Sequence, residues 1–131
     1  MPVILEHVKN PNPQDFSDLS KVYQDYPNGL SWQDLQDKTQ NQTDFTIYAG
    51  RFNDHFLGAI SVLKQGDSAE LSHFWVRDIT RGRHVGRDIL RLLLQQNLAK
   101  HYRITPCQQN PALEHLLTQA GFNKQGDSFI R

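Results

Sequence analysis

Val76-Arg77-Asp78-Ile79-Thr80-Arg81-Gly82-Arg83-His84-Val85-Gly86-Arg87 joins two segments of opposite character. Before it, Ala69 to Arg77 is rich in aromatic and β-branched residues and reads as a strand. After it, from Val85 to Ala99, the apolar period becomes helical, with Val85, Ile89, Leu92, Leu93 and Leu94 making a wide face interrupted by Arg87, Asp88 and Arg91. A strand, then a Gly/Arg turn, then a helix gathers backbone amides at a helix N-terminus, where the dipole favours negative charge. Gly82 and Gly86 let the backbone approach an anion closely, and Arg77, Arg81, Arg83 and Arg87 add charge, so a pyrophosphate suits the turn. Gly82 as a tight turn beside arginines on a solvated edge fits the same residues. The elements on either side decide between the two.

Towards the N-terminus, Val3 to Val8 alternates weakly and breaks at Asn10-Pro11-Asn12-Pro13, a short strand with a stop. Asn12 then caps a helix with Pro13 in its first turn, and Phe16, Leu19, Val22, Tyr23 and Tyr26 form its buried face up to Pro27-Asn28-Gly29. Ser31-Trp32-Gln33-Asp34 has the form of a capping box and predicts a second, shorter helix. Phe45 to Ala49 and Phe56 to Leu63 read as strands joined by a hairpin turn at Arg51 to His55, and Gln65-Gly66-Asp67-Ser68 turns into the strand that begins at Ala69.

Towards the C-terminus, Tyr102 to Thr105 is a short strand and Asn110-Pro111 caps a helix. Leu113, Leu116 and Leu117 face the core, and Gly121 stands where a left-handed residue ends a helix. Phe122 to Ile130 suits a closing hairpin around Gln125-Gly126-Asp127-Ser128. The order is strand, two helices, three antiparallel strands, helix, strand, helix and a hairpin. That predicts an α+β, or mixed α/β, sandwich in which helices flank a mostly antiparallel central sheet, with residues 1–131 as one domain.

Phe74-Trp75-Val76, Arg81-Gly82-Arg83-His84-Val85-Gly86, Asn110 and Ala120-Gly121-Phe122 together resemble the consecutive signatures of the GNAT (Gcn5-related N-acetyltransferase) superfamily. The resemblance implies that the strand residues Trp75 and Val76 meet an acyl-pantetheine arm. It gives a pyrophosphate to Arg81, Gly82, Arg83, His84, Val85, Gly86 and Arg87, and a further cofactor contact to Asn110. The cofactor implied is acetyl-CoA or CoA. Two positions depart from the family pattern: His84 stands where the loop usually has its first glycine, and Leu117 where it usually has a general-acid tyrosine. Leucine has no proton to give a leaving thiolate.

Within that superfamily, Ile47-Tyr48-Ala49-Gly50-Arg51-Phe52-Asn53 and Val76-Arg77-Asp78-Ile79-Thr80-Arg81 resemble the PanZ/PanM branch of aspartate 1-decarboxylase maturation factors. The resemblance implies a cofactor-dependent adaptor for the aspartate 1-decarboxylase proenzyme, with Arg51, Asn53 and Arg81 facing the partner. On chemistry alone, Arg51 and Asn53 also fit an ordinary polar hairpin turn. An active N-acetyltransferase, acting on a small amine or a protein N-terminus, is the other reading, with Glu70 or His73 as candidate general base.

Fourteen Lys and Arg balance fourteen Asp and Glu, so no global field draws nucleic acid or an anionic membrane. Basic residues interleaved with aromatics, as on a nucleic-acid platform, are missing. Cys107 is the only cysteine, which excludes an internal disulfide and points to a reducing compartment, the cytoplasm by default. No apolar run approaches membrane-spanning length. The six histidines show no ligand spacing, so no metal site is expected, and Walker, dinucleotide and nucleophile-elbow motifs do not occur.

Overall fold

Asn12 lies in extended backbone and its side-chain oxygen accepts the Asp15 N–H at 2.7 Å, opening helix α1 (Pro13–Tyr23) as its cap predicts. Ser31 and Asp34 complete a reciprocal capping box that opens α2 (Trp32–Asn41). These elements come from a computed structural model that describes residues 3–27, 30–77, 84–106 and 110–131. The remaining described elements are β1 (Ile4–His7), β2 (Phe45–Phe52), β3 (His55–Gln65), β4 (Ser68–Val76), α3 (Val85–Gln95), β5 (His101–Ile104), α4 (Pro111–Gln119), β6 (Asn123–Gln125) and β7 (Ser128–Ile130).

The strands form one sheet in the order β1-β2-β3-β4-β5-β7-β6, with β4–β5 parallel and the other neighbours antiparallel. The α+β sandwich with a mostly antiparallel sheet is therefore observed. Helices α1 and α2 cover one face, where Leu19, Val22, Tyr23, Trp32 and Leu35 pack on Phe45, Ile47, Ala49, Phe56 and Ala59. Helices α3 and α4 cover the other, with Ile89, Leu90, Leu93 and Leu117 among Tyr48, Ile60, Val62, Leu71, Tyr102 and Ile104.

Several boundaries differ from the sequence reading. Strand β2 continues through Phe52, so the β2–β3 turn is only Asn53-Asp54, both left-handed at φ 49° and 68°. Two such residues match the twist of the flanking strands, and Asn and Asp tolerate that conformation. Strand β4 ends at Val76, one residue short of Arg77, and β5 begins at His101 instead of Tyr102. Helix α1 stops at Tyr23, before Tyr26. Helix α3 stops at Gln95 instead of Ala99, because Asn97 turns left-handed at φ 53° and the Gln96 N–H closes onto Leu93 and Leu94. Its buried stripe is Val85, Ile89, Leu90 and Leu93, with Leu92 and Leu94 only half-buried.

Of the three leucines assigned to the core of α4, Leu117 alone is fully buried. Gly121 ends this helix at φ 94° as expected. The Phe122 N–H bonds the Leu117 carbonyl at 3.0 Å and the Gly121 N–H bonds that of Thr118 at 3.1 Å, which is the two-bond Schellman closure.

Helix α3 approaches β2 and β3 through two glycines. A Cβ on Gly50 would lie 2.7 Å from Ile89 Cγ1, and one on Gly58 would lie 2.8 Å from Ile89 Cδ1. Ile89 fills the space that both side chains would occupy. This close seat places the start of α3 beside the end of β4.

Candidate functional site

Strand β4 carries one residue too many for its partner. Ala59 pairs with Trp75 but Ser61 pairs with Ser72, so His73 and Phe74 together face Ile60. His73 takes up the bulge at φ 52°, a left-handed conformation uncommon for residues other than glycine. Three fastenings hold it: its Nδ1 lies 2.8 Å from Ser61 Oγ and 3.0 Å from Ser72 Oγ, and its carbonyl accepts the Tyr23 hydroxyl at 2.6 Å. A bulge bends its strand. The parallel pairing of β4 with β5 stops at Leu71↔Ile104, and the strands diverge beyond it.

The divergence opens a cleft of about 210 Å³ lined by Ser72, His73, Phe74 and Trp75 on one side and by Thr105, Pro106, Asn110 and Leu113 on the other. Tyr26 closes it from α1's end, edge-on to Trp75 at 5.0 Å. The Trp75 indole N–H donates to Asp25 Oδ1 at 2.9 Å, which fixes the ring.

At the head of α3, His84 is left-handed (φ 63°, ψ 14°) and its side chain makes no cap bond. That is the conformation glycine adopts without strain. Among the described residues, the first bond back along the chain is from the Asp88 N–H to the His84 carbonyl, at 3.0 Å. The amides of Val85, Gly86 and Arg87 precede it in the first turn, where helical geometry supplies no acceptor and the dipole is positive. A Cβ on Gly86 would meet Val76 at 3.4 Å and Phe74 at 3.5 Å, so the small residue also lets the helix lie close to β4.

Of the residues assigned to a cofactor, the structure brings Trp75, Val76, His84, Val85, Gly86, Arg87 and Asn110 to one end of the sheet. Arg81, Gly82 and Arg83 lie outside the described residues, as does Cys107. Asn110 is also α4's cap, its side-chain oxygen accepting from Ala112 N–H at 3.1 Å and Leu113 N–H at 3.3 Å. Glu70 is half-buried on β4 opposite Leu63 and Arg103, and does not line the cleft.

Arg51 and Asn53 share the β2–β3 hairpin, but in different ways. The Arg51 guanidinium is spent inside the molecule: it grips Glu6 at 2.5 and 3.2 Å and Asp15 at 3.1 Å, donates to the Asp54 carbonyl at 3.1 Å, and lies 4.0 Å over the Phe56 ring. Asn53 is exposed at the tip, beside Asp54 and His55. No group of three metal-ligating side chains occurs among the described residues, and no described helix is long and apolar enough to cross a membrane.

Sequence reading missed Tyr23, Ser61 and Ser72, which hold the bulge. Tyr23 is fifty positions from the carbonyl it binds, and no local pattern announces such a bond.

Burial, and then Lys38, lower the His73 pKa to about 4 from its ordinary 6.5. The folded protein thus refuses a proton that the unfolded chain accepts, so stability rises with pH between those values and is lost as pH falls through them. Urea unfolding at about pH 4.5 and about pH 7 should show wild type losing more stability on acidification than His73→Asn, since asparagine tolerates the left-handed backbone. Equal losses would remove His73 from the acid response.

A parallel β4–β5 pair splayed by a bulge, with a helix N-terminus at its mouth, defines a domain of the GNAT fold. The sequence matches the PanZ acetyltransferase (GNAT) domain over residues 2–129, and the chain belongs to that family. It is 35% identical over 85 residues to a PanD regulatory factor of Escherichia coli K12, covering 64% of this chain and 60% of the relative. It is 36% identical over 94 residues to a PanD regulatory factor of Salmonella typhimurium LT2, covering 71% of this chain and 65% of the relative. The chain thus spans less than two thirds of the length of these curated relatives. The solution structure of E. coli YhhK bound to coenzyme A superposes with a TM-score of 0.76 at 24% identity, covering 100% of this chain and 98% of that one.

Proposed function

We propose that this chain is a coenzyme-A-dependent regulator. With acetyl-CoA or CoA in the β4–β5 cleft, it engages the aspartate 1-decarboxylase proenzyme and promotes the self-cleavage that enables β-alanine supply for pantothenate synthesis. Trp75 and Val76 would flank the acyl-pantetheine arm. The first-turn amides from Val85 to Arg87, with Arg81, Gly82, Arg83 and His84 before them, would hold the pyrophosphate, and Asn110 the far wall. The cleft and the helix start suit such a ligand, being narrow and mostly apolar at one end and cationic at the other. The coenzyme supplies a thioester when acetylated.

One observation favours a regulator over a transferase: Leu117, at the position of the general acid, is sealed in the core at 0% exposure and faces no solvent. The names of the two PanD regulatory factors support the same reading. Transfer to an amine would need Glu70, His73 or water as base, but Glu70 stands away from the cleft and the Nδ1 of His73 already has two serine partners. The β2–β3 tip offers a partner Asn53, held in place by the ion pairs of Arg51, and Arg81 would join them from the loop. The reducing cytoplasm suits this role.

The test mixes purified chain and proenzyme with and without acetyl-CoA and follows appearance of the cleaved decarboxylase subunits on a gel. Faster cleavage that requires both chain and coenzyme is expected. No binding and no acceleration would overturn the proposal, and thiol release dependent on an added amine would establish the transferase instead.

A further inference from the structure

Ser61 and Ser72 stand directly across from each other on β3 and β4, in the last regular pair before the bulge at His73. Their hydroxyl oxygens are 2.6 Å apart, and His73 Nδ1 lies 2.8 Å from Ser61 Oγ and 3.0 Å from Ser72 Oγ. One hydroxyl on Nδ1, with Tyr23 on the carbonyl, is enough to fasten the bulge. The other sits on the wall of the cleft as a nucleophile does. We propose that Ser72, with Ser61 and His73 behind it, slowly hydrolyses the thioester of bound acetyl-CoA to acetate and free CoA, an activity that rests on the cofactor reading above.

Exposure assigns the parts. Ser61 is sealed at 0%, whereas Ser72 and His73 are half-buried and line the cleft, so of the two hydroxyls only that of Ser72 can meet an acyl group. Each hydroxyl carries a single proton, and the two shortest contacts use both in one direction, from Ser72 to Ser61 and from Ser61 to His73 Nδ1. The Ser72 carbonyl, 2.9 Å from Ser61 Oγ, is the competing acceptor, but a neutral imidazole nitrogen is the stronger base. Burial, and then Lys38, hold His73 to a pKa of about 4, so that nitrogen is open to a proton at neutral pH.

In the first step a bond forms between Ser72 Oγ and the thioester carbon, and the carbon–sulfur bond breaks. The Ser72 proton moves to Ser61 as Ser61 gives its own to Nδ1, and the departing thiolate recovers that proton through solvent. Water then attacks the acyl-serine: one of its protons returns to Ser72 Oγ, the other ionises, and acetate leaves. A base as weak as this imidazole makes turnover slow, toward the lower end of what general-base catalysis supplies.

Thiol release from acetyl-CoA, with no amine present, should run roughly a hundredfold above a protein-free blank, and the excess should show no histidine inflection between about pH 6 and 8. Mass mapping after mixing with p-nitrophenyl acetate, which carries no nucleotide, should find a single acetyl group, on the Ser72 peptide. Ser72→Ala should remove both signals, and Ser61→Ala should slow both by roughly tenfold. The wild-type measurements need no variant to fold. Thiol release no faster than the blank, or an acetyl group found elsewhere and not on Ser72, would overturn the inference. Calorimetry with coenzyme A separates the two proposals: binding alongside those negative results leaves the cofactor reading intact, and no binding removes both, whatever the ester labels.

Discussion

Gly50→Ala should destabilise the protein by roughly 1–3 kcal/mol and Ile89→Ala by roughly 2–5 kcal/mol, yet the double variant should lose clearly less than the sum. The added Cβ would come within 2.7 and 2.9 Å of two Ile89 carbons and 2.9 Å of Val3 Cγ1. Truncating Ile89 removes the first two clashes, and the new methyl fills part of the cavity the truncation leaves. Gly58→Ala makes the contrast, because its Cβ would also stand 3.1 Å from the Trp75 carbonyl, which no side-chain change moves. Ile89→Ala should therefore rescue Gly50→Ala more fully than Gly58→Ala. Urea midpoints for the single and double variants measure this, and simple additivity at both glycines would refute the packing described.

Leu117→Ala should cost roughly 2–5 kcal/mol, since the side chain is wholly buried. Restoring the family's tyrosine is more informative. Leu117→Tyr should cost roughly 1–3 kcal/mol by overpacking and should yield no amine acetylation, because the hydroxyl would enter an apolar core instead of the cleft. Thermal melts and a thiol-release assay with a panel of amines report the two effects. A stable, active Leu117→Tyr protein would mean that only one residue separates this chain from a transferase.

What sequence reading captured here was written within a few residues. Asn12, Ser31 and Asn110 each satisfy amides two or three positions away, and Gly121 ends α4 by its own backbone freedom, so their positions were readable one element at a time. The strand that ends at Val76 and the helix that starts at Val85 were legible for the same reason.

The shape of the cleft was not. It depends on a bulge at His73 that local propensity disfavours, paid for by Ser61, Ser72 and Tyr23 from elsewhere in the chain. The apolar face read for α3 left out the buried Leu90 and took in the half-buried Leu92 and Leu94, because three leucines in a row leave the phase of the helix open until Ile89 meets Gly50 and Gly58. Arg51 was legible as a conspicuous cation, but its carboxylates lie 45 and 36 positions away, so only the fold shows that they hold it.

Helix α1 is fastened at both ends to the sheet that bears the cleft. Near its start, Asp15 holds Arg51 while the buried Asp18 accepts the Phe56 N–H at 3.2 Å, and at its last residue Tyr23 grips the bulge. It works as a tie-bar: it cannot slide lengthwise or peel from one end without breaking a polar bond that is sheltered from water. Its amides should therefore open to solvent only in the same cooperative event that opens β3 and β4. The aperture between β4 and β5 keeps its width for as long as that layer is in place, whether or not anything fills it.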